Sequence, residues 1–328
     1  METKRPTNPD AEALLGLYFP VLDHGFVSLV DYMGSDEDVE RAARVSYGYG
    51  TRRTSQTRGL VRYLRRHHHT TPSEMVEMKF HCAMPVFVAR QWIRHRTASV
   101  NEYSGRYSLL PLLFYRPEPA ELAVQSASNR QGRAAQPVDD PLYAEAVQRW
   151  EKLRGLSAEH YEWLVQHDVA RELARIDLPL SIYTQWYWKV DLHNLLHFLT
   201  LRIDPHAQYE IRAFARVMAG MVQRVAPLSF EAWLDYDVHG AQLSRAELAA
   251  LRRLVQVTGK GLEAQPGMVT AAEMDALGLS SREIEELCAK LAPAGARDDL
   301  SLDLTVAHPP EYFARRMEAA VPTVDRSS

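Results

Sequence analysis

From Val76 to Met84 the chain reads Val-Glu-Met-Lys-Phe-His-Cys-Ala-Met, apolar and polar in strict alternation apart from the small Ala83. Period-two alternation of this length predicts a half-buried strand. Pro85 ends it and can serve as the first residue of a helix, where its missing N–H costs nothing. Val86, Ala89 and Ile93 then mark one helical face, with Val88 and Trp92 beside it. Beyond that helix the character changes abruptly. Arg94 to Arg106, RHRTASVNEYSGR, carries little that can be core. Arg90, Arg94, Arg96 and Arg106 oppose a single acid, Glu102, a local excess of three positive charges.

Such an excess invites an anion, because surface helices normally mix signs. A phosphomonoester carries roughly −1.5 to −2 near neutral pH, and arginine forks match its oxygens. A solvated basic patch explains arginines alone. Ser99, Asn101, Ser104 and Gly105 favour a bound group, since small polar residues beside a permissive glycine allow close approach to phosphate. The chain as a whole, 328 residues at net charge −4, is not a dedicated nucleic-acid binder. Its basic patch is local and suits a small anionic ligand.

Other chemistries find less support. Cys82 and Cys288 are far apart and outside any CxxC pair, so neither zinc nor a disulfide framework is expected. Cys82 reads as a small buried hydrophobe. His67, His68 and His69 are consecutive and point in different directions, so no shared metal is expected. There is no GxGxxG after a strand and no P-loop. The N-terminus has no apolar run of secretory type and no stretch approaches ~20 apolar residues, so a cytoplasmic, membrane-free protein is expected.

The remaining chain is organised by helix signals. Residues 1–24 read as a flexible arm. Phe26–Val30 reads as a strand, Ser35 and Asp38 as a helix start, and Gly59–Arg66 as a helix. Residues 116–141 form a long polar stretch containing SNRQGR, a candidate lid. Helices resume from Pro141 to Asp177, and Leu178–Val190 reads as a strand after Pro179. His193–Ile203 is helical in period. His193 and His197 share a face there, as a packed interface or as part of a site. Asp204 and Pro205 read as the N-cap and first residue of an amphipathic helix with Ile211, Phe214, Ala215, Met218, Val222 and Val225 inward. Residues 241–328 read as a helical extension, with capping boxes at Ser244/Glu247, Thr270/Glu273 and Ser280/Glu283.

These residues together resemble the flavin-dependent thymidylate synthases, the ThyX family. The family signature is Arg-His-Arg, seven residues, then Ser; here it is Arg94-His95-Arg96, TASVNEY, Ser104. ARQWIRHR, NEYSGRYS, LARIDLPLSIYT and LRIDPHAQYEIR extend the resemblance in order across residues 25–237. It implies an α/β (α+β) fold, a twisted, mainly antiparallel sheet flanked by helices, with the catalytic domain at 25–240. It implies that dUMP becomes dTMP with methylenetetrahydrofolate as carbon donor and NADPH-reduced FAD as hydride donor. It also implies a homotetramer with sites between subunits.

Carried over by position, the resemblance makes His69, Thr71, Arg94, His95, Arg96 and Glu102 flavin contacts, with Asp191, His193 and His197 added from the later block. Gln91, Trp92, Ile93 and Arg94 with Glu102, Tyr103, Ser104, Gly105 and Arg106 become the dUMP cradle, joined by Arg175. Arg202 becomes the group that favours ionisation of the uracil N3, electrostatic catalysis by a guanidinium. Ser104, a poor nucleophile without an adjacent base, positions or polarises dUMP. Many members carry Asn-x-Arg and a later Asn where this chain has Asp191-Leu192-His193 and His197, so the flavin chemistry there is changed. Two other readings stay open: a flavin enzyme on another pyrimidine nucleotide or folate, and a non-catalytic binder of RNA or nucleotides.

Overall fold

The computed structural model describes residues 6–46, 57–127, 132–258, 261–292, 304 and 306–323. Two compact units emerge, residues 1–233 with 301–328, and residues 234–300. The first unit opens with α1 (Pro9–Glu12), capped by Asn8, and β1 (Tyr18–Val21). It continues through β2 (Gly25–Met33), α2 (Asp36–Val45), α3 (Thr57–Arg66) and a 3-10 segment, Thr71–Met75. The alternating stretch is β3 (Glu77–Pro85), followed by α4 (Val86–Trp92) and the short β4 (Ser99–Glu102). Residues 116–141 hold a two-stranded hairpin, β5 (Ala123–Gln125) with β6 (Arg133–Pro137). Residues 128–131 of SNRQGR lie outside the described residues. Then come α5 (Asp140–Gln166), α6 (Arg171–Ala174), β7 (Tyr183–Asp191), α7 (Leu192–Arg202), α8 (Tyr209–Val225) and α9 (Pro227–Trp233).

The main sheet runs β1-β2-β3-β7-β4, every neighbouring pair antiparallel, the expected mixed architecture. Alternation decides its two faces. Met78, Phe80 and Cys82 pair with Val190, Trp188 and Trp186, and all six are buried. Trp92 of α4 covers that face, edge-on to Trp186 and Trp188 and stacked on Phe198 of α7 at 4.9 Å. The six expected inward residues of α8, from Ile211 to Val225, are all fully buried. On the opposite face Glu77 pairs with Lys189, and His81 stacks on Tyr187 at 4.8 Å.

Helix boundaries differ from expectation where side chains find other partners. Asp204 caps only a single turn, its carboxylate accepting from His206 N at 2.8 Å and its carbonyl from Ala207 N at 2.9 Å, and α8 starts at Tyr209. Pro85 stays in the strand conformation and precedes the first helical residue, Val86. β4 was not expected: it lacks alternation, and pairing with β7 makes it a strand.

The second unit contains α10 (Arg245–Leu251), the hairpin β8 (Val255–Thr258) with β9 (Gly261–Ala264), α11 (Ala271–Ala276) and α12 (Ser281–Leu291). All three capping boxes form. The chain then returns to the first unit with α13 (Pro310–Ala319). There Phe313 packs on Phe26 and Ala83, and Tyr18 and His308 exchange backbone hydrogen bonds. The expected three-part division therefore differs from the observed one at both ends. Ala11, Phe19 and Val21 are buried, so most of the expected arm is fold, and the last helix belongs to the first unit. The physical reason is apolar burial: Phe313 forms a buried cluster with Phe26 of β2 and Ala83 of β3.

Candidate active site

The Arg94–Arg106 segment crosses from the end of α4 to the edge of the sheet, and its residues divide into two groups. The first gathers around α7. Trp92, whose backbone carbonyl accepts from His95 N at 3.0 Å, anchors the turn in the core. His95 lies edge-on to Phe198, ring centres 4.9 Å apart, and 6.1 Å from His197. Arg202, in the last turn of α7, donates from Nε to His95 Nε2 at 3.1 Å. Burial, then Arg202, then His197 pull the His95 pKa down to about 4, so its imidazole is neutral at physiological pH. Burial also lowers that of Arg202. A guanidinium that has lost part of its hydration interacts more strongly with any anion placed against it.

His193 stands one turn before His197, and its Nδ1 is buried with no hydrogen-bond partner among the described residues. Burial lowers its pKa, aided by the charge of Arg65. The Thr71–Met75 segment packs against α7, with His69 and Thr71 exposed at its start. Asp191 caps α7: its carboxylate accepts from Asn194 N at 2.9 Å and Asn194 Nδ2 at 2.7 Å. Both oxygens are thus engaged in ending the strand and starting the helix.

The second group lies where β4 leaves β7. Glu102 accepts from Thr184 Oγ1 at 2.7 Å, and Tyr103 N donates to the Gln185 carbonyl at 2.8 Å. Gly105 is buried, and a Cβ there would come within 3.1 Å of both Arg175 and Leu110, which seats Arg175 directly against the motif. Arg106 Nε pairs with Glu172 of α6 at 3.1 Å. Ser104 Oγ accepts from Arg106 N at 3.3 Å, and no imidazole or carboxylate among the described residues hydrogen-bonds it. Without a base it has no means of activation as a nucleophile. Arg94 and Arg96 are exposed and form no ion pair among the described residues.

Trp92 and Ile93, neighbours in the expected cradle, are placed differently. The Trp92 indole is 0% exposed and belongs to the aromatic core, leaving its backbone alone for a ligand. Ile93 is exposed beside Arg94. Gln91 hydrogen-bonds Gln208, a partner that the sequence did not single out, like Thr184, Glu172 and Phe198. These four lie 66 to 117 residues from their partners or on another element, and no local spacing announces them. A cavity of about 600 Å³ lined by Phe87, Tyr115, Trp150, Arg154 and Glu210 contains none of the expected site residues. Cys82 is fully buried and burial raises its thiol pKa strongly, so it holds no thiolate.

Residues 28–228 match the family model described as thymidylate synthase complementing protein. The flavin-dependent thymidylate synthase of Wolbachia pipientis wMel is 50% identical over 254 residues, 77% of this chain and 89% of that protein. The enzyme of the same name from Ruegeria pomeroyi is 49% identical over 292 residues, 87% of this chain and 91% of its own length. The chain belongs to the flavin-dependent thymidylate synthase family. Among solved structures, the UMP/dUMP methylase PolB from Streptomyces cacaoi bound with 5-Br UMP superposes with a TM-score of 0.60 at 33% identity, covering 65% of this chain and 95% of that one. Its complex with 5-Br dUMP gives the same TM-score at 32% identity.

The flavin-dependent thymidylate synthase fold accommodates a flavin on chemical grounds visible in this chain. The His193 Nδ1 is buried with no hydrogen-bond partner among the described residues, a polar atom that a bound group can satisfy. Arg94 and Arg96 present exposed positive charge, and His95, between them in sequence, is uncharged.

Proposed function

We propose that this chain methylates dUMP reductively to dTMP, with 5,10-methylenetetrahydrofolate as the carbon donor and NADPH-reduced FAD as the hydride source. The observation that carries the reading is the half-buried Arg202 held against the Arg94-His95-Arg96 turn. When bound, the flavin would supply hydride; Arg94, Arg96, His193 and His197 would hold it, with His69 and Thr71 reaching it from a neighbouring subunit.

The protein's own residues do the rest. Arg175, Arg106 and Ser104 bind and orient the nucleotide, its phosphate neutralised by guanidinium groups. Gln91 and Tyr103 complete the cradle. Arg202 stabilises negative charge as the uracil N3 loses its proton, which makes C5 nucleophilic without attack by an enzyme thiol. The buried, protonated Cys82 fits this route. Leu173, Ile176 and Leu180, near Arg175 in sequence, are exposed, which suits burial in a homotetramer with shared sites. No helix among the described residues is long and apolar enough to cross a membrane, which suits an enzyme working in the cytoplasm.

The test is tritium release from 5-labelled dUMP with NADPH and methylenetetrahydrofolate, on protein whose flavin spectrum has been recorded. Arg202→Ala should nearly abolish release while flavin stays bound. A wild-type protein that neither takes up FAD nor releases label would sink the reading. The solved relative binds 5-Br UMP as well as 5-Br dUMP, which favours a second reading with UMP as a further substrate. Parallel assays with UMP and dUMP separate the two.

A further inference from the structure

We propose that His95 is a positioning residue that fixes the guanidinium plane of Arg202 by accepting its Nε–H. The proposal rests on the reading that Arg202 acts on the uracil. Arginine presents five donors on a rigid planar fork. With Nε committed to His95 at 3.1 Å, the edge formed by its two terminal nitrogens remains for the substrate, and rotation about the last side-chain bonds is restricted. The restraint is anchored in the core. Trp92 and Phe198 stack at 4.9 Å and are both fully buried, which locks the end of α4 to the middle of α7. His95 follows Trp92 by three residues and Arg202 follows Phe198 by four, so both project from one rigid joint.

The chemistry of the bond demands a specific state of His95. Nε2 must present a lone pair, so the proton sits on Nδ1 and the ring is neutral. An imidazolium would have no acceptor and would repel Arg202. Partial burial, with Arg202 and His197 close by, disfavours that charged form. His95 therefore joins the signature turn to the catalytic arginine, in addition to any contact with flavin.

The experiment is a double-mutant cycle on the flavin-loaded enzyme with His95→Leu, His95→Gln and Arg202→Lys. Losing a hydrogen bond to a charged group predicts a kcat lowered about 10- to 100-fold in His95→Leu. The kcat is expressed per bound flavin, and the dUMP Kd should stay close to wild type. His95→Gln, whose amide oxygen can replace Nε2, should recover most of the turnover, and it also serves if the leucine variant fails to fold. In the Arg202→Lys background, His95→Leu should cost less than about 3-fold more, because the bond it removes is already gone. Additive losses, a glutamine variant as slow as the leucine one, or loss of flavin as the main effect of His95→Leu would overturn the proposal. Wild-type turnover in Arg202→Lys would overturn the assignment of Arg202 itself, a different failure that the single variants reveal.

Discussion

Gly105→Ala tests whether Arg175 belongs to the nucleotide cradle. Gly105 is buried between β4 and the segment leading to Leu110, and its φ lies outside the left-handed region, so alanine fits the backbone. Space is the constraint. The new Cβ would stand 3.1 Å from Arg175 Cδ and 3.1 Å from Leu110 Cδ1, closer than ordinary van der Waals contact. One of them must yield by a few tenths of an ångström, and the flexible arginine gives way more easily than a packed leucine. A shift of about 0.5 Å degrades a bidentate contact. If half of a charge-assisted hydrogen bond of about 1.5–3 kcal/mol is lost, the dUMP Kd rises roughly 3- to 10-fold. Overpacking adds a stability loss of about 1–2 kcal/mol. Fluorescence titration with dUMP measures the first effect and urea denaturation the second. Leu110→Ala in the same chain makes room and should restore affinity. An unchanged dUMP Kd in folded Gly105→Ala, or a loss that Leu110→Ala does not reverse, would refute the reasoning.

Three further outcomes are expected. Cys82→Ala keeps thymidylate-forming turnover, since the buried thiol takes no part; an inactive but folded variant would reopen the thiol route. His95 has a folded pKa of about 4, below the ordinary 6.5, so the unfolded chain takes up its proton first as pH falls. Its contribution to stability is full above about pH 6.5 and is lost as pH falls toward 4, which the difference in denaturation free energy between wild type and the non-titrating His95→Gln reads directly. Parallel pH curves for the two proteins would contradict this. Phe313→Ala removes a buried ring from the Phe26–Ala83 contact and should destabilise the first unit by about 3–5 kcal/mol; a loss under about 1 kcal/mol would mean that α13 is not anchored there.

Much of this protein was legible because its signals are local. Alternation from Val76 to Met84 set a two-faced strand, and the burial of Phe80 and Trp188 on one face follows from it. Capping boxes at Ser244, Thr270 and Ser280 formed because each needs only residues three apart. Asp204-Pro205 starts a turn rather than a helix: Asp204 accepts from His206 N and Ala207 N, but the turn is not continued and α8 begins at Tyr209. Trp92 sits inside the signature block, yet its position on the inward face of α4 makes it core.

The charge excess of Arg94-His95-Arg96 to Arg106, the spacing to Ser104 and the lack of an available cysteine were properties of the chain alone, since they depend on residue identity and count. By themselves they pointed only to a small anionic ligand; the reaction came from the resemblance of the whole signature to the flavin-dependent thymidylate synthases. Which side chains meet was decided only by packing. The bond from Arg202 to His95 spans 107 residues, and Gly105 meets Arg175 across 70. Phe313 crosses 230 residues to settle on Ala83, the one residue that broke the strand's alternation. Backbone periodicity acts within a few turns, whereas contacts at such separations exist only once burial of the aromatic core has brought α4, α7 and the sheet together.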